Sequence, residues 1–340
     1  MPGYAPGYAP GHAPGHAPGH AGATRDRACK ICAMVTALTL ALAVLAGGVA
    51  YVLWAAHEVA GGANVLWFVA GAPVAALAVP ALLTLIWFTL AWRFGAERPP
   101  TARIGTAGLL RLYGRELLVI ASSIPRMIGY RWLMADPPPA PAAAPVLLLH
   151  GVLCNAGVWH AMKKYLAARG IGPIYALSYG PPLASIDLFA DQTAEKIDAI
   201  LAATGARQVV LVGHSMGGVV ARAYLRRYGG AKVRRLITIG TPHHGSVHAY
   251  MFPGVALSQL RPRNPWLSEL GTADADAMPP IVSLWSWHDS MVAPQTSSVL
   301  DRAENVALTG IAHNALLSDP QVQARVAAEI TSASTSESPA

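Results

Sequence analysis

A serine in the run Gly213-His214-Ser215-Met216-Gly217 has the surroundings that a nucleophilic hydroxyl needs. The run lies between an apolar segment typical of a buried strand, 208–212, and a segment typical of a helix, 217–228. A sharp turn from strand to helix lifts the serine out of the sheet, and the flanking glycines remove Cβ atoms that would collide there. The positive end of the following helix favours developing negative charge. The spacing therefore predicts that Ser215 is the nucleophile of an acyl-transfer reaction.

Such a serine needs a histidine as base and an acid that orients the histidine, and in this arrangement the chain order is serine, acid, histidine. Asp289 follows the apolar run IVSLWSW, so it lies at the carboxyl end of a predicted strand. His313 follows the last predicted strand and precedes the last predicted helix. We predict that Asp289 and His313 complete the triad.

Other acids and histidines fit these two roles less well. The competing groups are Asp274 and Asp276 in an Ala-rich loop, Asp301 and Glu304 near a later helix, His243, His244 and His248 before the acid, and His288 beside it.

Attack on an ester also requires two donors for the oxyanion. The backbone amide of Met216, directly after the nucleophile, is one candidate. The second is expected in the loop after the strand PVLLLH, where we predict the amide of Val152, with Leu153 as the near alternative. His150 in the same loop is interpreted as structural, because the expected donors are backbone groups.

Apolar runs of four to eight residues alternate with helical patterns from residue 145 onward, which predicts a mostly parallel sheet with helices on both faces. The predicted strands are 145–150, 173–177, 208–212, 233–239, 280–285 and 305–308. The predicted helices are 159–169, 187–203, 217–228 and 320–330.

Six stretches of this region resemble the bacterial triacylglycerol lipase and esterase branch of the α/β-hydrolases: HGVLCNAGVW, SYGPPLASIDLFADQ, GHSMGG, TPHHGS, WSWHDSMVAP and GIAHNALL. The resemblance covers about residues 145–330 and implies an α/β-hydrolase fold and hydrolysis of carboxylic esters, often of acylglycerols. It also implies that the loop from Thr241 to Ser246 borders the active site, and that Val152 and Met216 supply the oxyanion donors.

The residues expected to line the substrate site adjoin these motifs or lie in the insertion 246–279. They are Leu153, His214, Thr241, Met251 and Phe252. The insertion is rich in apolar residues, which predicts a lid or cap over an acyl pocket, with ordinary packing onto the sheet as the alternative.

Two uncharged apolar runs, 31–56 and 65–92, are each long enough to cross a bilayer. Pro73 and Pro80 are expected to kink the second run. The loop between the runs has no Lys or Arg, whereas arginines flank the pair on both sides. The positive-inside rule therefore predicts an inner-membrane hairpin with the catalytic domain in the cytoplasm. A cleaved signal peptide followed by a core helix is the alternative.

The formal net charge of +7 is explained by these flanking arginines, so no nucleic-acid partner is expected. Neither a metal nor a cofactor is expected. The predicted organisation is a disordered PGYA/PGHA repeat tail (1–28), a transmembrane helical hairpin (29–94), an amphipathic segment with a Pro/Ala linker (95–144), a catalytic domain (145–332) and a disordered end (333–340).

These features predict a membrane-anchored serine lipase or esterase that acts on lipid-like or other hydrophobic esters. An acyltransferase, thioesterase or phospholipase would use the same triad. A non-catalytic membrane scaffold that retains a hydrolase-like domain is the third hypothesis.

Overall fold

The computed structural model describes residues 21–271 and 278–335. Most of the repeat tail, the competing acids Asp274 and Asp276, and residues 336–340 lie outside this described part.

Six parallel strands form one sheet in the order β2-β1-β3-β4-β5-β6. They are β1 Val146–Leu149, β2 Ile174–Leu177, β3 Val209–His214, β4 Val233–Ile239, β5 Ile281–Ser286 and β6 Glu304–Leu308. Side chains of β1 and β3 alternate between the two faces, and both faces are buried. This sheet confirms the predicted fold class.

Helices cover both faces of the sheet. The helices after β1 and β6, α5 His160–Ala167 and α10 Pro320–Thr335, pack on one face. The opposite face is covered by α6 Ile186–Thr204 and α7 Met216–Tyr228. Ser185 begins α6 by accepting a hydrogen bond from the amide of Asp187, and Gly205 ends it in the left-handed conformation.

Two long apolar helices precede the sheet, α1 Ala21–Ala60 and α2 Val65–Arg93. Both are long and apolar enough to span a membrane over Ala41–Ala60 and Val65–Arg93. The α1 helix begins inside the predicted tail of residues 1–28, because no proline interrupts the chain between Pro18 and Pro73. The two helices contact each other where the Tyr51 hydroxyl donates to the Phe68 carbonyl oxygen at 2.7 Å.

The segment that joins this hairpin to the sheet is itself helical, with α3 Thr106–Ile128 and the short α4 Tyr130–Leu133. The buried side of α3 carries Leu112 and Glu116, and Leu109, Leu110 and Leu118 are exposed. An amphipathic segment of this kind can lie along a membrane surface or pack on the hydrolase domain. The structure packs its buried side against the 3-10 turns Ala156–Trp159 and Asn314–Ser318.

The predicted lid contains a 3-10 turn, Val247–Tyr250, and two short helices, α8 Val255–Gln259 and α9 Pro265–Glu269. Leu257, Leu260 and Leu267 are buried in the core shared with α6, as in the packing alternative. Phe252 and Val255 are exposed, so the two parts of the insertion differ.

Candidate active site

The turn that carries Ser215 has the geometry that its glycine-flanked sequence predicts. Ser215 lies between the last residue of β3 and the first residue of α7 with φ 56° and ψ −126°. This conformation costs a non-glycine residue roughly 1–3 kcal/mol and is found where function requires it. The Ser215 amide donates to the Ile239 carbonyl oxygen of β4 at 2.9 Å, which ties the turn to the neighbouring strand.

Three glycines leave room for this turn. A Cβ atom on Gly213 would lie 2.5 Å from the Gly218 nitrogen, and one on Gly217 would lie 2.1 Å from the Leu149 carbonyl oxygen. A Cβ atom on Gly218 would lie 2.2 Å from the Thr241 hydroxyl oxygen. Any side chain at these positions would push helix α7 away from the sheet.

Asp289 and His313 form a buried pair at the same edge of the sheet. The Nδ1 atom of His313 lies 2.9 Å and 2.8 Å from the two carboxylate oxygens of Asp289. The Oδ1 atom of Asp289 also accepts hydrogen bonds from the amides of Met291 and Val292, both at 2.8 Å. The backbone thus fixes the carboxylate, which in turn orients the imidazole.

The pair lies beside the nucleophile turn. Gly240, at the end of β4, is so close that a Cβ atom there would lie 3.0 Å from Asp289 Oδ2 and 3.3 Å from His313 Nδ1. The ring of His214, the residue before Ser215, has its centroid 4.6 Å from that of His313. The segments that follow β3, β5 and β6 therefore bring all three predicted triad residues to one place, beside the end of β4.

The charges around His313 suit a proton acceptor. Burial alone lowers the pKa of His313, but the charge and hydrogen bond of Asp289, together with the charge of Glu116, raise it above the usual value. Burial and the charge of His313 hold the pKa of His214 well below its usual value. Of these two neighbouring imidazoles, His313 is therefore the more basic.

The predicted oxyanion loop faces Ser215. A Cβ atom on Gly151 would lie 3.1 Å from Ser215 Cβ and 3.5 Å from its Oγ. Val152 follows Gly151, and Met216 follows Ser215 as the first residue of α7. Neither of the two amides has a hydrogen-bond acceptor among the described residues. Leu153, the alternative donor, is an exposed residue with φ 54°.

The predicted substrate-lining residues are placed differently from one another. Leu153 and Phe252 are exposed, and Met251 is half-buried. His214 is buried, with its Nε2 atom 3.2 Å from the His313 carbonyl oxygen. Thr241 is fully buried against Gly218. His214 and Thr241 thus pack within the domain and do not line an open surface.

The other histidines near the site have partners of their own. His243 lies 3.1 Å from the Thr238 hydroxyl, and His288 accepts from the Gly310 amide at 3.1 Å. The ring of His150 stacks on Tyr179, whose hydroxyl donates to the His150 carbonyl oxygen, and burial lowers the pKa of His150 to about 4. Within residues 21–271 and 278–335, no group of three His, Cys, Asp or Glu side chains is arranged to hold a metal ion.

Two buried side chains next to the triad, Gln295 and Glu116, are not predicted from the sequence. Gln295 donates from Nε2 to the Asp289 carbonyl oxygen at 3.1 Å and to the Ala91 carbonyl oxygen of α2 at 3.2 Å. Its Oε1 atom accepts from the Ala96 amide at 3.0 Å, so it joins the hairpin to the acid's loop. Glu116 of α3 contacts the loops that carry Asp289 and His313. One signal was available for Glu116, an acid on the otherwise apolar face of an amphipathic helix.

Comparisons with known proteins agree with the fold. Residues 144–269 match the sequence pattern of the alpha/beta hydrolase fold family. Triacylglycerol lipases of Pseudarthrobacter phenanthrenivorans and Burkholderia plantarii are each 33% identical over 118 residues, which is 31% of this chain and 35% and 31% of theirs. The chain thus spans about a third of the length of these curated relatives.

Solved structures support the fold alone. A mature Bacillus licheniformis lipase aligns with a TM-score of 0.50 at 18% identity, over 57% of this chain and 95% of that lipase. Aspergillus fumigatus lipase B aligns with a TM-score of 0.55 at 16% identity, over 76% and 84% of the two chains.

The parallel sheet, the strained serine turn and the family match define an α/β-hydrolase domain. The likeness to the triacylglycerol lipases is a likeness to the lipase and esterase branch of that fold, over 118 residues.

Proposed function

We propose that this chain is a membrane-anchored serine lipase or esterase that cleaves carboxylic esters of lipid-like substrates through an acyl-enzyme. The observation that carries the proposal is the strained turn at Ser215 beside the buried Asp289–His313 pair. The likeness to triacylglycerol lipases supports hydrophobic esters as substrates.

In the proposed reaction, Ser215 Oγ attacks the carbonyl carbon of the ester while its proton passes to His313 Nε2. The amides of Val152 and Met216 hold the negative oxygen of the tetrahedral intermediate. Asp289, on Nδ1, stabilises the imidazolium. When the bond to the alcohol breaks, His313 returns the proton to the alcohol oxygen. A water molecule then gives a proton to His313 and attacks the acyl carbon, and His313 passes that proton to Ser215 Oγ as the carboxylic acid leaves.

Exposed apolar side chains in two of the segments predicted to bind substrate support a hydrophobic substrate. Leu153 is 47% exposed and Phe252 is 40% exposed, and both lie in segments that the sequence predicts at the substrate site. An acyl chain that contacted them would remove this apolar surface from water.

The proposed anchoring is supported by the outer surfaces of α1 and α2. Large apolar side chains are exposed along both helices, for example Leu53 and Leu66, and no aqueous environment favours such a surface. Together with the arginine flanks, this surface supports an inner-membrane hairpin with the hydrolase domain on the cytoplasmic side.

The enzymatic proposal is tested with the full chain in detergent micelles and p-nitrophenyl esters from C2 to C16. We expect hydrolysis by the wild type and a loss of about 10⁴-fold or more in kcat for Ser215→Ala. The matched control is Ser258→Ala, because that hydroxyl donates only to the Val255 carbonyl oxygen within its own helix. Equal activity of wild type and Ser215→Ala would refute the nucleophile.

The chain-length series has further outcomes. Hydrolysis confined to short esters makes the protein an esterase, whereas transfer to an added alcohol in preference to water makes it an acyltransferase. An inactive wild type would favour the scaffold hypothesis.

The orientation is tested separately with reporters fused after residue 340. We expect activity from a reporter that works only in the cytoplasm, and activity from a reporter that works only in the periplasm would refute the orientation.

A further inference from the structure

A fully buried carboxylate reaches the active site from outside the region that matches the hydrolase family. Glu116 belongs to α3, and its side chain has no exposed surface. Its Oε1 atom accepts from the Asn314 amide at 3.0 Å and from the Asn314 side-chain nitrogen at 2.8 Å. Its Oε2 atom accepts from the Ala315 amide at 2.9 Å. A buried carboxylate is stable only with donors of this kind.

The fourth donor comes from the loop that carries the acid. The Ser290 hydroxyl donates to Glu116 Oε1 at 3.1 Å, and its oxygen lies 3.4 Å from the His313 amide. Ser290 directly follows Asp289, and Asn314 directly follows His313. The Glu116 carboxylate thus bonds to the residues that directly follow Asp289 and His313. It holds together the two loops that carry this hydrogen-bonded pair.

We propose that Glu116 is a positioning residue of the active site, which fixes the His313 loop against the Asp289 loop and adds a second negative charge near the imidazole. This inference rests on the proposed function. Helix α3 then helps to position the catalytic residues. The imidazolium that forms when His313 takes the Ser215 proton is then stabilised by two carboxylates, of which Asp289 is bonded to it and Glu116 acts through the loop.

The titratable groups that face His313 from other elements, His214 and His248, do not supply a negative charge. His214 at the end of β3 and His248 in the turn Val247–Tyr250 are both buried histidines, and burial is the main cause that lowers the pKa of each. Asp289 and Glu116 are the acids whose charges raise the pKa of His313. Removal of the Glu116 charge is therefore expected to lower the pKa of His313.

The test compares Glu116→Gln with two variants in the full chain in detergent. Glu116→Asp keeps the charge but shortens the side chain. Arg115→Gln is the matched control, because Arg115 precedes Glu116 on α3 and pairs at 2.7 Å with Asp319, which follows the turn Asn314–Ser318. If Glu116→Gln only loosens the packing of α3, its kcat and pH profile are expected to resemble those of Arg115→Gln.

We expect Glu116→Gln to lower kcat by roughly 10- to 100-fold with little change in KM, a part of the 10²–10⁴-fold that a well-placed general base contributes. The acid limb of its pH profile is expected to move to lower pH by about half a unit or more. Glu116→Asp is expected to lose activity but keep the acid limb of the wild type. Arg115→Gln is expected to keep both kcat and the acid limb.

A second readout does not depend on ester hydrolysis. The His313 pKa is measured by NMR on histidine labelled at Cε1, with the signal assigned by its loss in His313→Asn. A lower His313 pKa in Glu116→Gln than in Arg115→Gln supports the inference, even if esters prove to be the wrong substrate. An unchanged His313 pKa, or a kcat equal to that of Arg115→Gln, overturns the inference. An unaffected Ser215→Ala variant or an inactive wild type instead counts against the proposed function itself.

Discussion

The nucleophile and the histidine are held in place by different kinds of contact. The Ser215 turn is fixed by neighbours in sequence and by the adjacent strands, with glycines where backbone atoms approach most closely. The His313 loop is held by Asp289 and by Glu116, which lies almost two hundred residues earlier in the chain. The first arrangement depends on backbone shape and the second on buried charge, so the two respond to different substitutions.

Among the variants that distinguish the two kinds of contact, the largest effect is expected where the contact depends on charge. Asp289→Asn keeps the shape of the side chain and leaves an oxygen for the amides of Met291 and Val292. It presents an amide donor or a neutral acceptor to His313, so the imidazole loses its orientation and the charge that stabilises its protonated form. We expect kcat to fall by about 10³- to 10⁴-fold while the melting temperature changes little.

The control for this variant is Asp198→Asn, which removes an equal charge from an exposed ion pair with Lys232. If kcat of Asp289→Asn stayed within a few-fold of the control, Asp289 would not be the orienting acid.

On the nucleophile side, Gly217→Ala is expected to damage stability. The new Cβ atom would lie 2.1 Å from the Leu149 carbonyl oxygen, and a backbone atom in the middle of a sheet cannot move aside. We expect a loss of about 3 kcal/mol in the free energy of unfolding, measured by denaturant titration in detergent.

Gly310→Ala gives the matching measurement on the histidine side. Gly310 has φ 75°, and nothing lies within 4 Å of an added Cβ atom. The cost is then only that of the left-handed conformation, about 1 kcal/mol. Equal losses of unfolding free energy in Gly217→Ala and Gly310→Ala would contradict the view that backbone packing is tighter at the Ser215 turn than near His313.

The smallest effect is expected for Thr241→Val. The Thr241 hydroxyl is buried and has no hydrogen-bond partner among the described residues, and its side chain packs on Gly218. Loss of an unpaired buried hydroxyl is neutral or stabilises the fold by about 1 kcal/mol. We expect kcat/KM to change by less than about two-fold, whereas a large rise in KM would support the prediction that Thr241 binds substrate.

The same contrast explains what could be predicted from the sequence. Ser215, its glycines and the strands beside it form a local pattern, and the parallel sheet follows from short apolar runs between helices. The acid and histidine were found by their order along the chain and their positions after strands. Glu116 and Gln295 act through long-range contacts, and neither belongs to a motif. These contacts depend on how α2 and α3 pack against the loops after β5 and β6, which no local sequence pattern specifies.

The bonds of Gln295 to the end of α2 and to the loop of Asp289 have a consequence for how substrate is met. A hydrolase on a flexible linker samples a wide volume of solution. Here the site moves with the helix that we propose to span the bilayer. Encounter with an ester is then a search in two dimensions, whose rate follows the lateral diffusion and surface density of the lipid and not its concentration in bulk water.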